Sequence, residues 1–273
     1  MRTKKLGSLR FFLLFVLLLC FHVVILRVLI TGVQRIHCFS FDTAMENFRC
    51  QKISEETLNG FLEDSHDFYD LMTMYYAREG QVTKPEELAK FFPYAKSRHK
   101  DEFAELRGYV RAVWEDARLF PVGKIKNDET AVVSFADSWN ESRTFGGDRT
   151  HEGCDIMASF NVRGLYPIYS MTDGVVENIG WLRLGGYRIG IRSDSGGYYY
   201  YAHLAEYARD FQIGERVEAG TPLGFMGDTG YSDIPGTTGN FDVHLHMGIY
   251  FNDKSGQEIS VNSYPILRYL YQK

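Results

Sequence analysis

Three short stretches of this chain carry side chains able to do metal or acid–base chemistry. They are His151-Glu152-Gly153-Cys154-Asp155, Tyr201-Ala202-His203 and His244-Leu245-His246. Around the last of them, Asn240 to Tyr250 alternates: Val243, Leu245 and Met247 point one way on an extended strand, Asp242, His244 and His246 the other. Two imidazoles two residues apart therefore leave one face together, close enough to share a metal or a substrate. A lone His-x-His is more often the polar face of a half-buried strand, and a single histidine more often satisfies a backbone carbonyl. The signal lies in the sum, because the three stretches supply four imidazoles and a carboxylate to one glycine-rich segment.

A catalytic zinc ion takes N or O donors from three residues and keeps one position open for water. Cys154 does not suit a fourth place: on a strand it faces away from Asp155, and a fourth protein ligand would close the site. His151 and Asp155 have the spacing of one helix face, but Gly146, Gly147 and Gly153 argue for a loop running into a strand.

The elements that must position these residues change character near Phe120-Pro121-Val122-Gly123. Beyond it, short β-rich runs alternate with glycine turns: 131–135, 174–179, 187–192, 197–202 and 242–250. This predicts a β-dominated domain over residues 120–273. Before it the period is helical. Leu58, Phe61, Leu62, Phe68, Leu71, Met72, Tyr75 and Tyr76 recur at three- and four-residue spacing, and Phe103, Leu106, Val110, Val113 and Trp114 form a second stripe. Thr83-Lys84-Pro85-Glu86 reads as a capping box with proline in the first turn. Nothing catalytic stands out in residues 31–119, which are expected to form a small helical stalk or regulatory module.

From Phe120 onward the chain resembles the LytM/lysostaphin family of zinc-dependent peptidoglycan endopeptidases. The resemblance rests on His151-x-Gly-x-Asp155, Tyr-x-His203 and His244-x-His246 in family order, with Pro167 to Val176, Gly214 to Gly224 and Gly227-Asp228-Thr229-Gly230 between them. It implies antiparallel sheets of the lysostaphin type, with His151, Asp155 and His246 holding Zn2+. His203 and His244 would then be unligated catalytic imidazoles serving a metal-activated water, their division of labour left open. It also implies peptidoglycan peptide as the substrate. Some proteins of this fold are non-hydrolytic scaffolds or activators of other wall hydrolases, including sporulation-channel components. All five positions are filled here, which favours the enzyme. The loop Tyr231 to Asn240 is longer than the usual turn before His-x-His, and the spacing from Phe145-Gly146 to His151 is short. Both are expected to border the groove and to bear on peptide preference.

Phe11 to Ile30 is almost wholly apolar, about the 20 residues a helix needs to cross a bilayer, and Arg2, Lys4, Lys5 and Arg10 precede it. This predicts a cytoplasmic tail (1–10), an uncleaved transmembrane anchor (11–30) and an extracytoplasmic remainder (31–273), in a single-pass cell-membrane protein. Cys38 and Cys50 are available for a disulfide in that compartment. With 273 residues and a net charge of −5, the chain gives no reason to expect nucleic-acid binding.

Overall fold

Every long strand predicted from alternation is present in the computed structural model. It describes residues 2–36, 39–125, 128–144 and 147–273, without the side chains of 2–11, 31 and 33–36. Cys38, and with it the Cys38–Cys50 pairing, lies outside the described residues, as does Phe145-Gly146.

Helix α1 (Arg2–Ile36) contains the apolar segment Phe12–Ile30, 19 residues of mean hydropathy 2.9, none of them buried. Six helices follow: α2 (Phe41–Cys50), α3 (Glu55–Glu63), α4 (Phe68–Ala77), α5 (Pro85–Ala89), α6 (Phe92–Arg98) and α7 (Lys100–Trp114). The apolar run from Leu58 to Tyr76 is split in two because the Asp67 side chain accepts the Asp70 amide at 2.9 Å and starts a new helix. The capping box expected at Thr83 is absent. Pro85 occupies the first helical position and holds Lys84 extended, so Lys84 is the cap and its side chain makes no capping bond.

The strands are β1 (Val133–Ser134), β2 (Ser142–Arg143), β3 (Arg149–Thr150), β4 (Cys154–Ala158), β5 (Pro167–Tyr169), β6 (Gly174–Leu182), β7 (Gly186–Ser193), β8 (Tyr198–Tyr207), β9 (Arg216–Val217), β10 (Pro222–Met226), β11 (His244–Asn252) and β12 (Glu258–Val261). A final helix, α8, spans Tyr264–Tyr271. Ten strands form one antiparallel sheet whose main path is β1-β4-β11-β8-β7-β6-β9; β12 pairs with β11, and β10 with β5 and β8. Strands β2 and β3 form a separate ribbon.

Alternation gives the sheet two unlike faces. Ile189, Ile191, Tyr199, Tyr201, Leu245, Met247, Ile249 and Phe251 are buried on one, and the helices cover it. There Phe251 stacks on Tyr109 with ring centres 4.5 Å apart, and Phe48 packs on Phe251 at 5.7 Å. The Tyr199 hydroxyl donates to the Val113 carbonyl at 2.9 Å, and Gln51 Nε2 to the Asn262 carbonyl at 2.7 Å. Helices α2, α4 and α7 thus share one hydrophobic core with the sheet. The opposite face carries His246, Ala202, Tyr200, Gly190, Gly248 and Tyr250 in register. A side chain at Gly190 would collide with the Tyr198 hydroxyl, so glycine there lets the tyrosine lie across the sheet.

Candidate active site

Pairing of β11 with β4 sets His246 opposite Asp155, and the loop before β4 brings in His151. His246 Nδ1 lies 2.9 Å from Asp155 Oδ1 and 2.9 Å from His151 Nε2, and His151 Nε2 lies 3.0 Å from Asp155 Oδ1. Three donor atoms on three residues therefore converge on one point. A tetrahedral ion with bonds of about 2.0–2.1 Å keeps its donors roughly 3.3 Å apart, so a small outward movement accommodates one. Two imidazole nitrogens and one carboxylate oxygen suit a borderline-soft divalent cation. Cys154 is fully buried on the other face, its Sγ 3.4 Å from the Ala136 carbonyl, and burial pushes its thiol pKa up.

Burial opposes ionisation of Asp155, but hydrogen bonding with His151 and His246 outweighs it and holds the carboxyl well below the usual carboxylate range. Its second oxygen, Oδ2, accepts from Arg143 Nη2 at 2.9 Å. The same Nη2 is 2.9 Å from His151 Nδ1, which also faces the Ser138 carbonyl at 3.2 Å. A guanidinium can only donate and a carbonyl can only accept, so Nδ1 cannot serve both. The charged Asp155 oxygen is the stronger acceptor for Arg143, which leaves the His151 Nδ1 hydrogen to Ser138.

His203 and His244 stand beside this cluster with ring centres 4.7 Å apart. His203 lies in a bulge of β8, where Ala202 and His203 together oppose the single residue Arg188 of β7. Its backbone is left-handed, φ 62°, a conformation rarely adopted outside glycine and one that turns its ring into the groove. His203 Nδ1 meets the Thr229 carbonyl and His244 Nδ1 the Asp242 carbonyl, each at 2.8 Å. Since carbonyls only accept, both Nδ1 atoms carry the hydrogen, and in the neutral ring the lone pair sits on Nε2. His244 Nε2 is 3.8 Å from Asp155 Oδ1. Burial, reinforced by the neighbouring His244 and His246, pushes the His203 pKa well below its ordinary value, so the ring is neutral.

All five residues singled out from sequence line one groove, together with Tyr200, Tyr231, Arg143 and Arg188. Tyr231 and Phe241, at the two ends of the long loop, pack edge-on at 4.8 Å, and Phe241 meets the His203 ring at 4.6 Å. Arg143, Ser138, Tyr200 and Arg188 were not singled out. Tyr200 was accessible to sequence reasoning, since alternation places it on the His246 face once β8 and β11 are paired; Arg143, on a two-residue strand, left no periodic signal.

The antiparallel sheet and its histidine–aspartate cluster define a metallopeptidase domain of the LytM/lysostaphin type. The chain carries a peptidase family M23 domain, matched by that family's sequence profile over residues 149–259. It is similar to the L-Ala--D-Glu endopeptidase of Bacillus subtilis (strain 168), 44% identical over 144 residues, covering 51% of this chain and 42% of that protein. It is also similar to the glycyl-glycine endopeptidase ALE-1 of Staphylococcus capitis, 32% identical over 99 residues, covering 36% of this chain and 24% of that protein. The chain thus spans less than half the length of either. Among solved structures, a lytM protein of Ruminococcus gnavus superposes with a TM-score of 0.72 at 41% identity, covering 83% of this chain and 90% of that one. That share is larger than the β domain, so the likeness extends into the helices packed behind it.

Proposed function

We propose that this chain is a membrane-anchored zinc endopeptidase that hydrolyses peptide stems or cross-bridges of bacterial peptidoglycan. The observation that carries this reading is the convergence of His151 Nε2, Asp155 Oδ1 and His246 Nδ1 in a groove that His203 and His244 also line, each with its Nδ1 engaged by a carbonyl. On this reading the three converging residues hold Zn2+, and His203 and His244 are the catalytic imidazoles. Zinc, when bound, supplies Lewis acidity toward a water or a peptide carbonyl. His203 and His244 supply the rest: a neutral Nε2 takes a proton from the attacking water, and the protonated ring returns it to the departing amine or steadies developing negative charge. Asp155, fixed through Oδ2 by Arg143, and His151, oriented through Ser138, keep the cluster aimed at one point.

The peptidoglycan substrate enters from the relatives, one named for an L-Ala–D-Glu bond and one for a glycyl-glycine bond. Helix α1 fits an anchor that leaves residues 1–10 in the cytoplasm, spans at 11–30 and holds the helical module (31–119) and the β domain (120–273) outside. The deciding experiment is digestion of purified cell wall by the detergent-solubilised, zinc-loaded chain, with fragments identified by mass spectrometry. New peptide termini are expected. An intact wall of every cross-link type would instead leave a zinc-holding scaffold. Protease added to intact spheroplasts should digest the β domain, and its protection would reverse the topology.

A further inference from the structure

Arg188 lies in the same groove; Glu152 and Glu258 line that groove too, but neither forms an ion pair with it. Its Nε and Nη1 are buried without a hydrogen-bond partner, and no ion pair joins it to any described residue. The other groove arginines are engaged, Arg143 with Asp155 Oδ2 and Arg149 with the Tyr231 hydroxyl at 3.2 Å. Nor do the surrounding phenols neutralise it, because burial pushes the pKa values of Tyr198, Tyr200 and Tyr250 up and keeps them protonated. A half-buried cation with unmet donors destabilises the fold unless something that binds there completes it.

The position of Arg188 says what that something is. It stands opposite Ala202 and His203, and Ala202 pairs with His246. Two strand spacings of about 4.8 Å put its Cα roughly 10 Å from that of His246. An extended peptide advances about 3.3–3.6 Å per residue, so the long arginine side chain reaches a group on the residue next to the scissile bond. The guanidinium fork matches a planar carboxylate. A glutamyl residue has two carboxyl groups and uses one to continue the chain, leaving the other free; a glycine bridge has none.

We propose that Arg188 is the receptor for a free carboxylate on the peptide residue flanking the scissile bond, selecting anionic stem peptides over neutral glycine bridges. This deepens the endopeptidase reading above and rests on it. The test uses two synthetic stem peptides containing an alanyl–D-glutamyl bond, identical except that the free carboxylate of one is a carboxamide in the other, with pentaglycine as a third probe. Wild-type protein should prefer the carboxylate peptide by about 10- to 100-fold in kcat/KM, mostly through KM. Arg188→Gln should erase that ratio and Arg188→Lys should keep part of it. Arg188→Met should melt at or above the wild-type temperature with zinc content unchanged, since an unmatched buried cation is removed.

Binding of the two stem peptides to EDTA-treated protein, followed by calorimetry, reads the same preference without turnover. Preference without cleavage would overturn only the endopeptidase reading. Cleavage with equal use of both peptides, or a ratio that survives Arg188→Gln, would overturn only the Arg188 assignment. Absence of both cleavage and preference would overturn the two together.

Discussion

His203 Nδ1 lies 2.8 Å from the carbonyl oxygen of Thr229, and this one contact decides which nitrogen of the imidazole can accept a proton. Thr229 is held in turn: its hydroxyl donates to the Leu204 carbonyl at 2.7 Å and accepts the Tyr187 amide at 3.1 Å. The His203 ring is therefore oriented from a loop beside it rather than by its own strand.

Replacing His203 should remove catalysis and little else. The better variant is His203→Asn, because the backbone is left-handed there and asparagine tolerates that conformation better than alanine. Peptidoglycan turnover should fall by about 10²–10⁴, with zinc content and melting temperature close to wild type. Turnover within a few-fold of wild type would remove His203 from the mechanism.

Metal retention should divide the five residues. His151→Ala, Asp155→Ala and His246→Ala should each lose stoichiometric zinc by mass spectrometry of the metal, whereas His244→Ala should keep it. Zinc at 100 times its dissociation constant should stabilise the wild type by about 2.7 kcal/mol, and the three ligand variants by nothing measurable. Equal zinc loss in His244→Ala would redraw the ligand set.

Gly153 is required by close approach. A Cβ there would sit 2.7 Å from His246 Cε1 and 2.8 Å from the Met247 carbonyl oxygen. Gly153→Ala should cost about 1–3 kcal/mol by overpacking and also weaken zinc binding, because the His246 ring must swing from Asp155. A variant with normal zinc affinity would show that the ring has room to shift.

Acid should loosen the loop that supports His203. Asp228 accepts from Arg163 through both oxygens, at 2.5 and 2.8 Å, and its Oδ2 also accepts the Gly239 amide at 2.8 Å. The Arg163 hydrogen bonds, against the opposing effect of burial, lower the Asp228 pKa. A carboxyl depressed in the folded state stabilises above its unfolded pKa, about 3.9, and that stability is lost as pH falls through the folded value. Arg163 is half-exposed, so solvent screening limits the pair to about 1 kcal/mol. Asp228→Asn should therefore melt below wild type at pH 7, with the gap closing toward pH 3. A gap unchanged by acid would refute the assignment.

The helices and the sheet should unfold together. Phe251 is 1% exposed, packed between Tyr109 and Phe48, so Phe251→Ala should cost about 3–5 kcal/mol. Calorimetry of the chain should show one transition covering α2–α7 and the sheet. Two well-separated transitions would mean that the helical module is an independent body.

By itself the sequence determined the class of fold, the long strands β6, β7, β8 and β11, and the five residues that cluster. These depend on local information: alternation at period two places His244 and His246 on one face and Cys154 opposite Asp155, wherever the strand lies. The same locality explains the failures. Hydrophobic spacing alone could not show that Asp67 restarts a helix, or that Pro85 moves the cap from Thr83 to Lys84. Only the tertiary structure decided which nitrogen of His203 and of His151 faces the cluster, because that is set by the Thr229 and Ser138 carbonyls brought in from other elements. It alone brought Arg143 to Asp155 from a ribbon with no periodic signature, and left Arg188 unpaired in the groove. A hydrogen-bond partner, or the lack of one, depends on which distant segments share a surface, and strand pairing fixes that only when the whole sheet closes.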